Sequence, residues 1–356
     1  MNKARILEET AVPFALVAVV VVSVCAGCLM SSPKESGVVY ETWMRSGDML
    51  QQVQTSNIDG FIAWEPVTSK AALSGTGTAL AYSHTIWPSH PCCVLVVSRA
   101  GLGSLGRNAT LAMVWAHIKA TRFILDPHNI NQTIDGIATS TGSNDTVARE
   151  SLKHITYTST PSVQAAREVY DVLENASYVK TNVTALGYAS VDQFLNHFVQ
   201  LDYVNEVEQH LAENPNWTPP PANTTVTLGT LSGDSHDLAF DIAENEGYYA
   251  SVGLHIVTKQ YGSGIDLVEG FKSGEIEMGY CGLAPALLRG VNDGIPMTVI
   301  AAVNNEGSAL IVNPKAGIDS LSDLAGKTIA TPGAGSLQDV LLRTLAQQQH
   351  LRVEIK

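Results

Sequence analysis

LVEGFKSGEIEMGY, residues 267–280, holds a short helix, its stop and a strand within fourteen residues. Positions 267–271 carry a helical apolar stripe, Gly274 offers the left-handed cap that glycine adopts most easily, and 276–279 read as a strand. The same unit repeats on either side. Upstream lie strands at 225–228 and 254–258, a helix near 238–243, and Gly247 and Gly253 at the turn between them; downstream, 297–302 and 309–312 continue the strands. Strands alternating with helices imply a parallel sheet covered by helices, so the fold class is α/β.

Further along, Asp319, Ser320 and Ser322 precede a short apolar helix and a strand at 328–331. Gly333-Ala334-Gly335-Ser336 then opens a helix over 337–347 with Leu341, Leu342 and Leu345 as its stripe, and a new strand begins at 353–356. The N-terminal part supplies complementary pieces: strands at 38–43, 58–64 and 93–98, a helix at 48–53, and amphipathic helices spread over 110–211. Pro215, Pro219, Pro220 and Pro221 make 214–225 a stiff connector in which neither a helix nor a central strand can form.

With 356 residues and 45% hydrophobic content, the chain is long enough for two lobes with real cores. A formal charge of -13, with no run of Lys or Arg after residue 5, leaves no electrostatic basis for gripping nucleic acid. Lys3 and Arg5, the apolar run 11–24 and Cys25-Ala26-Gly27-Cys28 have the layout of an export signal. Ala26-Gly27-Cys28 resembles a lipobox, so the expectation is a signal peptide over 1–27, lipidation at Cys28 and a polar tether over 28–37, with an uncleaved N-terminal membrane anchor as the alternative. Either puts the rest of the chain outside the cytoplasm, anchored to the outer face of the cell membrane. Asn-x-Ser/Thr acceptors at Asn108, Asn131, Asn144, Asn175, Asn182, Asn216 and Asn223 suit such a surface. Beyond Cys28 only Cys92, Cys93 and Cys281 remain, too few for a disulfide framework.

Several blocks together carry a resemblance. They are 264–286 (with LVEGFKSGEIEMGY and Gly282-Leu283-Ala284-Pro285), 307–312 (GSALIV), 320–333 (SLSDLAGKTIATPG) with Gly335-Ser336, and 57–66 (NIDGFIAWEP). The chain resembles the nitrate, taurine, alkanesulfonate and thiamine-precursor binding proteins of ABC importers, but with the halves in reversed order. The resemblance implies a type II periplasmic-binding-protein fold, two lobes with a cleft between them, in a circularly permuted chain. Lobe II would be split into 38–89 and 315–356, with lobe I continuous over 90–314. It further implies a monomer that captures a small organic anion or zwitterion, sulfonate- or taurine-like, for an ABC permease and its ATPase, with no catalytic residues. A thiamine precursor or other heterocycle is the alternative solute, and a sensor or an enzyme on the same fold the alternative role.

The cleft residues follow from the loops at the carboxyl ends of the strands, where ligands sit in such sheets. Gly335 and Ser336, at the start of a helix, form the candidate oxyanion site, because backbone N–H groups and the helix dipole favour negative charge there. Ser232, Asp234 and His236 follow the first strand, Cys281 and Gly282 the third, and Ser308 begins another. Trp64 can pack on an alkyl chain or ring, and Glu65 would welcome an ammonium group and repel a simple anion. His84, His90, Cys92 and Cys93, with Cys281, have the chemistry of metal ligands. Successive strand residues point to opposite faces, however, so Cys92 and Cys93 are expected to pack in the cleft or hinge and no metal is expected. Two nucleotide-like patterns fail their context. Gly101-Leu102-Gly103-Ser104-Leu105-Gly106 is followed by about a hundred residues without a second parallel strand, and Gly326-Lys327-Thr328 lacks the upstream glycine of a phosphate loop. No cofactor is expected.

Overall fold

The computed structural model describes residues 37–356. The expected signal peptide, Cys28 and all of the tether except Gly37 lie outside the described residues. Among the described residues no helix is long and apolar enough to cross a membrane.

Two sheets organise the chain. One has six strands in the order β13-β1-β12-β2-β11-β3: β1 is Val38–Trp43, β2 Gly60–Trp64, β3 Thr78–Tyr82, β11 Ser308–Val312, β12 Thr328–Thr331 and β13 Arg352–Ile355. The other has five in the order β7-β6-β8-β4-β9: β4 is Cys93–Ser98, β6 Thr224–Leu231, β7 Leu254–Tyr261, β8 Met278–Gly282 and β9 Met297–Ala302. A small antiparallel pair, β5 (Ile155–Tyr157) and β10 (Asn304–Glu306), lies beside the passage between them.

The expected parallel sheets each contain one strand that runs against the rest: β4 is antiparallel to β8 and β9, and β11 to β2 and β3. The reason is geometric. Both strands have just crossed from the other sheet, β4 after β3 and β11 after β9 and β10, and a chain that leaves one sheet at its cleft edge enters the next from the same edge. Strand β11 therefore belongs to the six-stranded sheet, which corrects its expected place in lobe I and moves the return crossing to residues 303–307.

The ends of the described chain meet in one sheet. Strand β1 lies between β12 and β13, parallel to both, with Tyr40 opposite Thr328 and Val38 opposite Arg352. The Lys356 N–H donates to the Glu41 carbonyl at 2.8 Å. The connecting helix Leu337–Gln348 buries Leu341, Leu342 and Leu345 as its stripe requires. The glycine-rich 101–106 is no dinucleotide loop; it lies within the helical stretch Arg99–Leu125, where Gly106 (φ 73°) marks a kink. The proline-rich connector is irregular only as far as Asn223, since β6 already begins at Thr224, and it packs down: the Trp115 indole N–H donates to the Trp217 carbonyl at 2.9 Å, and Trp217 stacks on His210.

Glu41 is buried in β1, where it accepts from the Thr331 hydroxyl and pairs with Arg343 at 3.2 Å; Arg343 also holds Asp339 at 2.7 Å. Burial and the neighbouring Asp339 carboxylate push Glu41 up to about 7, against the pull of Thr331 and Arg343. The folded protein thus keeps a proton that the unfolded chain releases near 4.5, so stability falls as pH rises from about 4.5 to 7 and levels off above. In urea unfolding, Glu41→Gln should remove on the order of 3 kcal/mol of this pH-dependent loss. Parallel stability–pH profiles for the two proteins would contradict the assignment.

Candidate functional site

Because both sheets point the carboxyl ends of their parallel strands at one another, the groups at those ends line a common cleft. Trp64 closes β2, Leu231 closes β6, Gly282 closes β8, and Pro332 and Ser336 follow β12; Cys92 and Cys93, at the entry to β4, arrive from the opposite direction. The cavity is small, about 40 Å³. Three helices begin on it: Gly264–Ser273, Leu283–Asn292 and Leu337–Gln348. Their aligned peptide dipoles make the walls locally positive, although part of each first turn is already satisfied: the Leu283 N–H donates to the Cys92 carbonyl at 2.8 Å, and the Asp266 and Asp339 N–H groups donate to the Ser263 and Ser336 hydroxyls at 3.2 Å. The side chains facing them include the Asp234 carboxylate, and neither Lys nor Arg is among the described residues that line the cavity.

The floor is a compact cluster of Cys92, Cys93 and His236. The two sulfurs are 3.8 Å apart, and His236 Nδ1 lies 3.5 Å from Cys92 Sγ and 3.6 Å from Cys93 Sγ. The expectation that the cysteines point apart fails because β4 starts only at Cys93; Cys92 precedes the strand, so the two-residue alternation does not reach it. His236 Nε2 lies 3.2 Å from the Gly307 carbonyl, which only accepts, so this nitrogen carries a proton. Gly307 adopts φ 83°, and a Cβ there would sit 2.3 Å from His236 Nε2. Charge is tightly coupled here. Burial lowers His236, yet Asp234 and Cys92 outweigh it and push the imidazole up to about 10. The hydrogen bond with Cys93, reinforced by His236, holds Cys92 well below the ordinary thiol range despite burial, while Cys93 is pushed well above it. Burial raises Asp234 to about 6 against the pull of His236.

Of the residues expected at the site, Trp64, Asp234, His236, Gly282 and Ser336 line the cavity; Ser232, Cys281, Ser308, Gly335 and Glu65 do not. Glu65 turns away from it, and its Oε2 accepts from the Ser69 N–H and the Ser151 hydroxyl, both at 3.1 Å. The Gly335 N–H donates to Asp339 Oδ2 at 2.7 Å, so a carboxylate of the protein already occupies the turn offered as an oxyanion site. Ser336 caps its helix by accepting from the Asp339 N–H at 3.2 Å. Ser308 accepts from Gln338, which does reach the cavity. Cys281 is buried within β8, and Ser232 is exposed. His84 stacks near Tyr82 outside the cluster, and His90 is buried beside it.

A family model described as "NMT1-like family" matches residues 40–138, and one described as "NMT1/THI5 like" matches 238–355, which together make up more than half of the chain. The chain belongs to the NMT1/THI5-like family. This is the family of the nitrate, taurine and alkanesulfonate substrate-binding proteins of ABC importers, and it indicates a solute-binding role of that type. No curated protein matches the chain. The second family match spans the segment from the helix after His236 to β13, and the first begins in β1, so the cleft draws on both matched regions.

Gly307→Ala should displace His236 and destabilise the fold by about 2 kcal/mol or more, since it adds a clash to a backbone that alanine tolerates poorly. Thermal denaturation measures it, and an unchanged Tm would contradict the packing described.

Proposed function

We propose that this NMT1/THI5-like protein is an extracytoplasmic, lipid-anchored solute-binding protein. It captures a small organic zwitterion of the taurine or alkanesulfonate kind and delivers it, as a monomer, to an ABC permease and its ATPase. The observation that carries the reading is the convergence, on one cleft, of three helix N-termini and one buried carboxylate, Asp234, with the helix Leu337–Gln348 coming from the sheet across from it. The helix ends favour a sulfonate, and the carboxylate favours an ammonium group or another donor. Trp64 supplies a face for the short alkyl segment between them. A simple inorganic anion suits this cleft less well, because no Lys or Arg of the described residues lines it, the His236 imidazole there is already matched by Cys92 and Asp234, and the Gly335 N–H is taken. A cavity of about 40 Å³ has room for little more than a few waters, so solute entry requires the two sheets to part about the crossings at residues 83–92 and 303–307.

The reversed order of the halves is part of the proposal. Strand β1 beside β12 and β13 supports a circular permutation in which the connector 214–225 joins what are otherwise the two ends of a lobe. A heterocyclic solute such as a thiamine precursor is the second reading, favoured by the pairing of the Trp64 indole with a buried acceptor at Asp234.

Isothermal titration and thermal shift over taurine, alkanesulfonates, nitrate and thiamine precursors test this. A solute at a hundred times its Kd should stabilise the protein by about 2.7 kcal/mol. Asp234→Asn should weaken a zwitterion tenfold or more and leave a plain sulfonate nearly unaffected. Stabilisation by nitrate alone, or by none of these solutes, would contradict the proposal.

A further inference from the structure

We propose that Cys92, Cys93 and His236 form a binding site for one thiophilic d¹⁰ cation, Zn²⁺ or Cu⁺, at the floor of the cleft. Three observations carry it. The first is size. The three candidate ligand atoms form a nearly equilateral triangle with sides of 3.8, 3.5 and 3.6 Å. A point equidistant from all three lies about 2.1 Å from each, the mean side divided by √3, and a small step out of the plane brings it to the ~2.3 Å of a zinc–thiolate bond.

The second observation is tautomer and orientation. Nδ1 of His236 faces both sulfurs while Nε2–H donates to the Gly307 carbonyl at 3.2 Å. Metal-bound histidines are held in this way, with the remote N–H on a backbone carbonyl or carboxylate that fixes the ring and strengthens the ligating nitrogen. The third is rigidity of the frame. The Cys92 and Cys93 N–H groups donate to Asn304, to its carbonyl at 3.0 Å and its side-chain oxygen at 3.2 Å, so the two crossing segments clamp the cysteine pair. All three ligands are buried. Two thiolates and an imidazole form a soft donor set that suits these ions.

Binding releases two protons to solvent, that of Cys93 and the one shared between Cys92 and His236; two thiolates then neutralise Zn²⁺. Because the same three residues line the cavity, the ion's fourth position opens onto it. A solute in the cleft can then be a metal ligand, which rests on the proposed solute-binding role, whereas the metal site itself does not.

The reduced full-length protein is the material for the test. Competition of Zn²⁺ against a chromogenic chelator, and of Cu⁺ against bicinchoninate, distinguishes the two ions, and Co²⁺ loading reports thiolate ligation through its charge-transfer absorption. The expected result is one equivalent of Zn²⁺ or Cu⁺ retained after dialysis, a thiolate–Co²⁺ band, and at least hundredfold weaker binding in Cys92→Ser and in Cys93→Ser, with unchanged circular dichroism. Should a serine variant fail to fold, the Co²⁺ band of the unaltered protein decides alone. Absence of stoichiometric binding with no such band, or affinity untouched in both folded serine variants, overturns the site. Solute titrations on metal-loaded and chelator-treated protein separate the two proposals. Solute binding without any metal uptake refutes only the metal site, and metal uptake without solute binding refutes only the solute reading.

Discussion

The arrangement depends on two strands that run against their sheets. Because β4 and β11 enter from the cleft edge, each delivers its first residues to the gap between the sheets, and the segments before them must pass side by side. Cys92, Cys93, Asn304 and Gly307 all come from this short passage, and the loop after β6 adds His236. The hydrogen bonds there join the two crossings directly: the Cys92 N–H donates to the Asn304 carbonyl, and the Val303 N–H to that of Cys93. A buried polar floor of this kind is stable only when its groups are paired, which explains the tight fit of Gly307 under the His236 ring.

From that constraint the remaining chemistry follows. Parallel strands ending at the cleft hand over to helices beginning there, so backbone geometry alone makes the walls locally positive. Side chains then tune them. Asp339 quenches one turn, and Asp234 adds a negative group to the cleft that the helix ends line. On the far side of the helix Leu337–Gln348, Arg343 joins Glu41 and Asp339 and reaches the hydroxyl of Tyr178, a residue of the helical region, so a second polar tie connects the halves away from the cleft.

Much of the fold was legible in the sequence. Strands β1, β4, β9 and β12 lie where apolar runs bounded by glycine, proline or polar residues predict them. Strand β3 has no strong sequence signal, because Thr78–Tyr82 follows a Gly/Thr-rich stretch and pairs with β11, about 230 residues away. The sheet to which β11 belongs was not legible either, since a run of four buried apolar residues after Ser308 suits the centre of either sheet. At the site, the place of Glu65 was not legible: it follows the last residue of β2, so strand alternation does not reach it, and its partners Ser69 and Ser151 hold it away from the cleft. The quenched glycine turn also had a local signal, Asp339 four residues after Gly335. The cysteine–histidine cluster had none, because it joins residues 144 positions apart through the topology of the crossings.

The central claim is that both sheets grip one solute, between Trp64 and Ser336 on the six-stranded side and Asp234 and the helices beginning at Gly264 and Leu283 on the five-stranded side. A crystal structure of the protein with the solute that stabilises it most tests this directly. The account predicts ligand density in that cleft, within hydrogen-bonding reach of Asp234, and β13 beside β1 in the same molecule. Ligand density elsewhere, or β13 withdrawn from β1, would contradict it.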